Sequence, residues 1–268
     1  MIELINSFFE IEELNVPVRQ PFLSLFIFFT ITWSNLGLTF GQTPQIQVAT
    51  NTGEFIVQTV INKIEGNDIL KKKTLTYKRS YVRENLNDNG QVTDRAKEEV
   101  VVIELNGNER MIEKNGKPVN KGKSSRPKIE LLKVLEAVLK LNEFNVARIE
   151  TLDNRPHFVI NFKPKPRQKT GDSDVEEIII RSEGVMYVDI EKFYIKQLSA
   201  RMIRPYSRGG IFGWNIFSLT MANTEIVQEE FDGIVVMKSI LITDRYSLFG
   251  GNTFEKHTYS YKDYQKKF

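Results

Sequence analysis

Residues 97–118 read KEEVVVIELNGNERMIEKNGKP, two strand-like runs separated by a turn. The run Lys97–Leu105 is rich in β-branched residues, and Glu109–Lys114 is placed to form the return strand. Between them stands Asn106-Gly107, the dipeptide most typical of a two-residue hairpin loop. A second turn follows at residues 115–118. The segment therefore predicts a β-hairpin and antiparallel pairing of its strands.

Strand patterns continue on both sides of this hairpin, and two of the later strand pairs are separated by Asp153-Asn154 and Asp232-Gly233. The predicted strands outside the hairpin are Lys73–Glu84, Val146–Thr151, His157–Lys163, Glu177–Arg181, Val185–Asp189, Tyr194–Pro205, Thr224–Phe231, Ile234–Tyr246 and Phe254–Tyr261. About ten strands with two helices predict an α+β fold dominated by one large antiparallel sheet.

Two segments have helical periodicity. In the first, apolar residues from Ile56 to Ile64 recur at helical spacing, Asn51 is placed to cap the helix, and Gly66 is expected to end it. The second runs from Ile129 to Leu141 and is preceded by Pro127, which a first helical turn tolerates. Its apolar face is wide, so we expect it to be covered on much of its circumference. That face comprises Leu131, Leu132, Leu135, Val138 and Leu139.

Composition excludes several kinds of function. The 37 basic and 34 acidic residues are interleaved and leave a net charge of only +3, which argues against nucleic-acid binding. The chain contains no cysteine, so disulfides, thiolate metal sites, cysteine nucleophiles and a lipid anchor on cysteine are all excluded.

The first 41 residues predict a leader. Residues Phe22–Phe40 carry no charge, and their densest apolar part, Phe22–Trp33, has about the length of the apolar core of a signal peptide. Thr39 and Gly41 provide small residues before a cut that would leave Gln42 first. An uncleaved membrane anchor is the alternative, although polar residues and a glycine between positions 34 and 37 weaken it.

Residues 1–17 do not resemble the start of an exported protein, because they contain four glutamates and no basic residue. Either they are a gene-start artefact, with translation beginning at Val18, or they form a long unusual leader. The predicted domain organisation is a leader over residues 1–41 and a single β domain over residues 42–268.

Catalytic and metal-binding motifs were sought among the polar residues. Only His157 and His257 are present, in different predicted strands and without a partner motif, so neither is expected to act in catalysis. The acidic stretch 172–177 lacks the glycine and terminal glutamate of a calcium loop, and the glycines of 209–213 lack a P-loop lysine. We therefore predict no catalytic residue, no metal and no cofactor, and hence a protein that is not an enzyme.

The order of elements and the local texture of four segments resemble the periplasmic lipoprotein-carrier superfamily, the LolA-like and LolB-like proteins, and an uncharacterised exported bacterial branch near it. The segments are 77–90, which contains YKRSYVR and DNG, 110–118 (RMIEKNGKP), 184–190 (GVMYVDI) and 259–264 (YSYKDY). This resemblance implies a large curved sheet or half-open β-barrel wrapped around one or two helices. It also implies an apolar interior that takes up acyl chains.

The function that the resemblance implies is an exported, periplasmic, non-enzymatic binder or carrier. Its expected partners are lipid or the acyl chains of lipoproteins, with a further contact to an envelope membrane surface, and its oligomeric state is left open. The residues expected to line the apolar cavity are Leu131, Leu135, Val138, Tyr77, Tyr81, Phe212 and Trp214. The alternatives are an envelope interaction domain without a ligand and an outer-membrane β-barrel. Charges on both faces of many strands weigh against the barrel.

We predict that export is followed by cleavage near Gly41–Gln42, because small residues follow the uncharged segment there. N-terminal sequencing of the protein from its native host checks this. A mature chain that still begins before Phe22 would contradict it.

Overall fold

The computed structural model describes residues 52–119, 130–166, 173–209 and 215–267. Three helices lie within these ranges, α1 (Thr52–Thr74), α2 (Leu131–Leu141) and α3 (Asp174–Ile179). The strands are β1 (Leu75–Leu86), β2 (Val92–Ile103), β3 (Glu109–Lys114), β4 (Lys117–Pro118), β5 (Asn142–Leu152), β6 (Arg155–Pro164), β7 (Ser182–Asp189), β8 (Ile195–Met202), β9 (Tyr206–Gly209), β10 (Asn215–Phe231), β11 (Ile234–Leu248) and β12 (Gly251–Lys266).

All of these strands belong to one antiparallel sheet, ordered β4-β3-β2-β1-β12-β11-β10-β8-β7-β6-β5, with β9 pairing separately to β10. The two ends of that order, β4 and β5, are not paired with each other, so the sheet is open. The predicted α+β fold, a large antiparallel sheet in the form of an open half-barrel with helices, is confirmed.

The hairpin turns form where the sequence predicts them. Asn106-Gly107, Asn115-Gly116 and Asp232-Gly233 all have positive φ at both residues, and Asp153-Asn154 does as well. Asn, Asp and Gly tolerate this left-handed conformation better than other residues do. Because the turns fix the pairing register, they also fix which side chains share a face of the sheet.

Two expectations about individual elements are wrong, and one short strand was missed. Residues 177–181 are not a strand: Glu177 lies in α3, whose first turn is acidic as the helix dipole favours. Gly66 does not end α1, since the side-chain amide of the next residue, Asn67, bonds both the N–H and the C=O of Val235 and docks the second half of the helix on β11. The short strand β9 was not foreseen. Asn51, Pro127 and Ile129 lie outside the described residues.

The core lies between the sheet and the helices. One row of paired residues crosses eight strands, from Val146 on β5 to Tyr81 on β1, and every member belongs to the main apolar cluster. Its other members are Ile160, Met186, Leu198, Ile226, Ile240 and Tyr259. Helix α1 contributes four buried residues to the same cluster, Ile56 to Ile61, and α2 contributes Leu131, Leu135, Val138 and Leu141. The face that carries this row is the inner face.

Gly184 of β7 lies where a side chain has no room. A Cβ there would approach the carbonyl oxygen of Ser199 to 2.2 Å and the ring of Phe162 to 2.5 Å. We expect Gly184→Ala to lower the free energy of unfolding by about 1–3 kcal/mol, as overpacking usually does. Chemical denaturation measures this.

Gly66→Ala is the matched control, because Gly66 is helical and a Cβ there would meet nothing within 4 Å. This variant should gain up to about 1 kcal/mol. Equal effects of the two substitutions would show that the contact between Phe162 and Gly184 does not constrain the sheet.

Candidate functional site

The predicted ligand-binding residues fall into three places. Leu131, Leu135, Val138 and Tyr81 come together in the main apolar cluster, under the two long helices. Leu135 is completely buried there, at 0% exposure. The structure thus brings these four side chains into one layer, as the prediction requires.

Tyr77 lies apart from that layer, in a small pocket of about 80 Å³ beside the C-terminal half of α1. Its ring packs 5.0 Å from that of Tyr264 and 6.2 Å from that of Tyr261, centroid to centroid. Burial raises the pKa of Tyr77 to about 12, so its phenol is neutral at physiological pH. Phe212 and Trp214 lie outside the described residues.

A second, larger opening lies on the other side of the sheet. A groove of about 1160 Å³ crosses β5, β6, β7, β8 and β10. Lining residues such as Asn145 and Asn161 are the chain neighbours of Phe144 and Phe162, which are buried on the inner face, so they point away from the helices. The groove carries the ion pairs Lys163–Glu143 (3.6 Å) and Arg201–Glu183 (2.6 Å).

This outer groove does not suit an acyl chain, because binding an apolar chain there would desolvate charged side chains. None of the five described residues that the sequence predicted for ligand binding lines it. The apolar layer on the inner face is therefore the better candidate for an apolar ligand.

The inner face changes character towards β1, β2 and β12, where it carries charged residues in buried pairs. Arg79 is 5% exposed and binds Glu109 through two hydrogen bonds of 3.2 and 2.8 Å. Lys97 lies 2.5 Å from Glu99, whose side chain is 1% exposed. In such a pair each partner replaces part of the hydration that the other loses on burial.

His257 is at the centre of the most connected of these clusters. Its Nε2 atom lies 3.1 Å from Asp244 Oδ1 and 3.4 Å from Glu255 Oε2, and its Nδ1 atom is 2.9 Å from the hydroxyl of Tyr81. Arg83 approaches the same Glu255 carboxylate at 3.5 Å. The strands that carry these residues are adjacent in the sheet, and the register sets His257 opposite Arg83 and Glu255 opposite Asp244.

The charge of this cluster follows from its geometry. Burial lowers the pKa of His257, but the hydrogen bonds and charges of Asp244 and Glu255 outweigh burial and raise it to about 9. For the Glu255 carboxyl, burial acts in the opposite direction and raises the pKa. The hydrogen bond from His257 and the charge of Arg83 outweigh burial and bring the pKa of Glu255 below its ordinary value. The ring is therefore protonated at neutral pH and donates from both nitrogens.

Sequence reasoning missed this cluster because its members come from three strands whose pairing was unknown. The only signal was the alternation of polar residues at 244, 246, 255 and 257, which fits a solvated face equally well. His157 lies elsewhere, buried at 1% exposure, with Nδ1 2.8 Å from the carbonyl oxygen of Arg155. The expectation that neither histidine is catalytic stays a prediction.

The described residues offer neither a metal site nor a membrane-spanning helix. In the described ranges, no group of three or more His, Asp or Glu side chains is arranged to hold a metal ion. None of the helices in this part of the chain combines the length and apolar character needed to cross a membrane.

A scan against protein-family models found no match, and a search of curated proteins found none either. The chain is similar to solved structures of the LolA superfamily. One, a LolA superfamily protein from Nitrosomonas europaea, is 12% identical, with 79% of this chain and 94% of that chain covered and a TM-score of 0.30.

Two other solved structures are similar at the same level. A DUF1329 family protein from Desulfovibrio piger is 10% identical, with 78% and 92% of the two chains covered and a TM-score of 0.29. A putative outer membrane lipoprotein-sorting protein domain from Vibrio parahaemolyticus is 8% identical, with 79% and 93% covered and a TM-score of 0.29.

The His257 cluster predicts a pH-dependent stability. Because the folded-state pKa of about 9 exceeds the ordinary value of 6.5, the protonated ring stabilises the fold fully below pH 6.5, and this stabilisation is lost as pH rises through 9. We expect the free energy of unfolding to fall over that window by at most about 1.4 kcal/mol per pH unit. Denaturant unfolding at a series of pH values measures it.

His257→Gln should remove this slope, whereas His157→Gln leaves the cluster intact and should retain it. If the His257→Gln variant loses stability between pH 6.5 and 9 as steeply as the wild type, the assignment of the proton to this ring is wrong.

Proposed function

We propose that this protein is an exported, non-enzymatic binding protein that holds the acyl chain of a lipid or of a lipidated protein between α2 and the sheet. The observation that supports the proposal is the apolar layer of the inner face, which runs across eight strands without an interrupting charge until it reaches Glu99 on β2. An unbranched apolar chain fits such a layer because burial of apolar surface is non-directional and needs no polar partners.

The opening of the sheet provides a route into this layer. In a closed barrel, entry between strands would break backbone hydrogen bonds, but here β4 and β5 leave the sheet open. Helix α2 closes the layer beside β5. It is attached at its C-terminal end, where the side chain of Asn142 donates to the carbonyl oxygen of Val138 at 3.0 Å and Lys165 N–H donates to that of Leu141.

Movement of α2 about this attachment would therefore break mainly apolar side-chain contacts, with α1, α3 and β5. An acyl chain that enters would replace those contacts with contacts of the same kind. This exchange makes binding compatible with a core that is fully packed when no ligand is present.

A second function is favoured by one observation, the complete burial of Leu135 and Leu141 at 0% exposure. Under this second function α2 completes the core permanently, and the protein is an envelope interaction domain that binds no ligand. The periplasmic location and the lipid partner belong to the first proposal, and the location also depends on the leader predicted at residues 1–41.

Lipid extraction and mass spectrometry of the purified protein is the first experiment, and Leu135→Ala is the variant that separates the two functions. In a permanently packed core the substitution should cost about 2–5 kcal/mol. If an acyl chain lies under α2 in the purified protein, that chain can fill part of the space left by the leucine, so the loss of stability should be smaller and the retained lipid should fall. The thermal transition and the bound lipid are measured on the same samples.

Leu75→Ala is the matched control. Leu75 is 1% exposed but belongs to a separate apolar cluster with Ile234 and Val236. The Leu75→Ala variant should have a lower free energy of unfolding than the wild type. The fraction that remains folded should keep its bound lipid. A large loss of stability in Leu135→Ala, with no lipid in any sample, would leave only the domain without a ligand.

A further inference from the structure

Phe249 lies at the tip of the hairpin formed by β11 and β12, in a conformation that phenylalanine rarely adopts. Its φ is +50°, and the following Gly250 has φ +82°, which together form a turn that favours Asn-Gly. Its side chain is 78% exposed. The residue therefore combines an unfavourable backbone conformation with an unfavourable exposure to water.

The other turns of the chain show how unusual this is. Eight described residues other than glycine have positive φ, and six of them are Asn or Asp: Asn106, Asn115, Asp153, Asn154, Asp232 and Asp263. The remaining two are Phe193 and Phe249. Phe193 is half-buried against the main apolar cluster, with the Lys63 ammonium 5.2 Å from its ring centroid. Packing thus accounts for Phe193, whereas no contact among the described ranges accounts for Phe249.

The two stretches of chain next to Phe249 carry no charge. Its N–H donates to the carbonyl oxygen of Ile216, a residue on β10 that is 38% exposed. Residues 246–254 of the hairpin and residues 215–224 of β10 contain no charged side chain, in a chain of which 26% is charged. The register pairs Phe217 with Leu248, so these two uncharged stretches lie side by side.

Two arginines lie on the strands near the tip, Arg245 on β11 and Arg208 on β9. The Arg245 guanidinium lies 4.4 Å from the ring centroid of Phe254 and pairs with Asp88 at 3.6 Å. Arg245 precedes Phe249 by four strand residues, a distance of roughly 13 Å.

Arg208 of β9 pairs with Asp174 at 3.0 Å and is 63% exposed at its side chain. Because the register pairs Arg208 with Phe217 and Phe217 with Leu248, Arg208 lies level with the tip and two strands to its side. An uncharged tip with one arginine to its side and another set back along β11 matches the polarity profile of a bilayer surface, from its apolar interior to its headgroups.

We propose that the β11–β12 tip, with Phe249 and Ile216, inserts into the surface of a lipid bilayer. The shape of the tip favours this partner, because a protruding side chain needs a complementary pocket on a protein but none in a fluid lipid surface. Insertion also explains the turn: Asn-Gly would form the hairpin more readily, whereas Phe-Gly places an apolar ring at its outermost point. The proposal does not depend on a ligand under α2.

The test uses the full chain, which contains no cysteine, so that a single introduced cysteine can be labelled uniquely. Phe249→Cys carries an environment-sensitive fluorophore, and vesicles of phosphatidylethanolamine and phosphatidylglycerol contain a lipid with a quencher in its acyl chain. Phe55→Cys is the matched control: it also replaces an exposed phenylalanine, 68% exposed, but in the first turn of α1. We expect quenching at position 249 and little at position 55.

Phe249→Asn completes the test, because it removes the ring while giving the turn its preferred residue. Its thermal transition should equal or exceed that of the wild type, and its binding to the same vesicles should fall at least about tenfold, as expected for one phenylalanine side chain. Equal quenching at positions 55 and 249, no quenching at 249, or unchanged binding by Phe249→Asn would each overturn the proposal. Because Phe249→Asn leaves the apolar layer under α2 intact, its loss of vesicle binding reports on the tip and is independent of the lipid-extraction experiment.

Discussion

The contact between the inner face of the sheet and helices α1 and α2 is the interaction on which the rest of the structure depends. A row of apolar side chains crosses eight strands, and an open sheet cannot bury such a row against itself as a small closed barrel does. Two helices of the same chain cover it instead. Because α2 leads directly into the edge strand β5, the cover and the sheet are parts of one continuous segment.

The inner face has two parts with different physical roles. From β5 to β11 it is apolar and provides most of the buried surface, whereas towards β1, β2 and β12 it buries the pairs around Arg79, Glu99 and His257. Buried pairs offset their own desolvation but add little net stability. The stability of the fold therefore lies mainly in the apolar part, and the His257 cluster makes that stability depend on pH.

This division also limits where an apolar ligand and an apolar surface contact can be. The acyl chain that we propose would find uninterrupted apolar surface under the helices, whereas the lining of the groove on the outer face includes amides and ion-paired charges. The contact that we propose with a bilayer lies instead at the β11–β12 tip, where an exposed phenylalanine occupies a turn position that Asp fills in the β5–β6 and β10–β11 hairpins. The two proposals use different parts of the same sheet, so a carrier could hold its ligand inside while a hairpin tip contacts the membrane.

The sequence by itself determined the class of the fold and most of its turns. Asn-Gly, Asp-Asn and Asp-Gly are short-range signals whose backbone preferences act without distant partners, and the apolar face of α2 is visible from local spacing. It failed at Glu177–Arg181, where a short apolar run fits a helix and a strand equally well, and at Gly66, where a distant partner, Val235, holds the helix. Only the tertiary structure decided that Tyr77 lies apart from Leu135, that His257 meets Asp244 and Glu255, and that Phe249 is exposed while Phe193 is packed. Each of these depends on strand pairing and register between residues far apart in the chain, which no local pattern specifies.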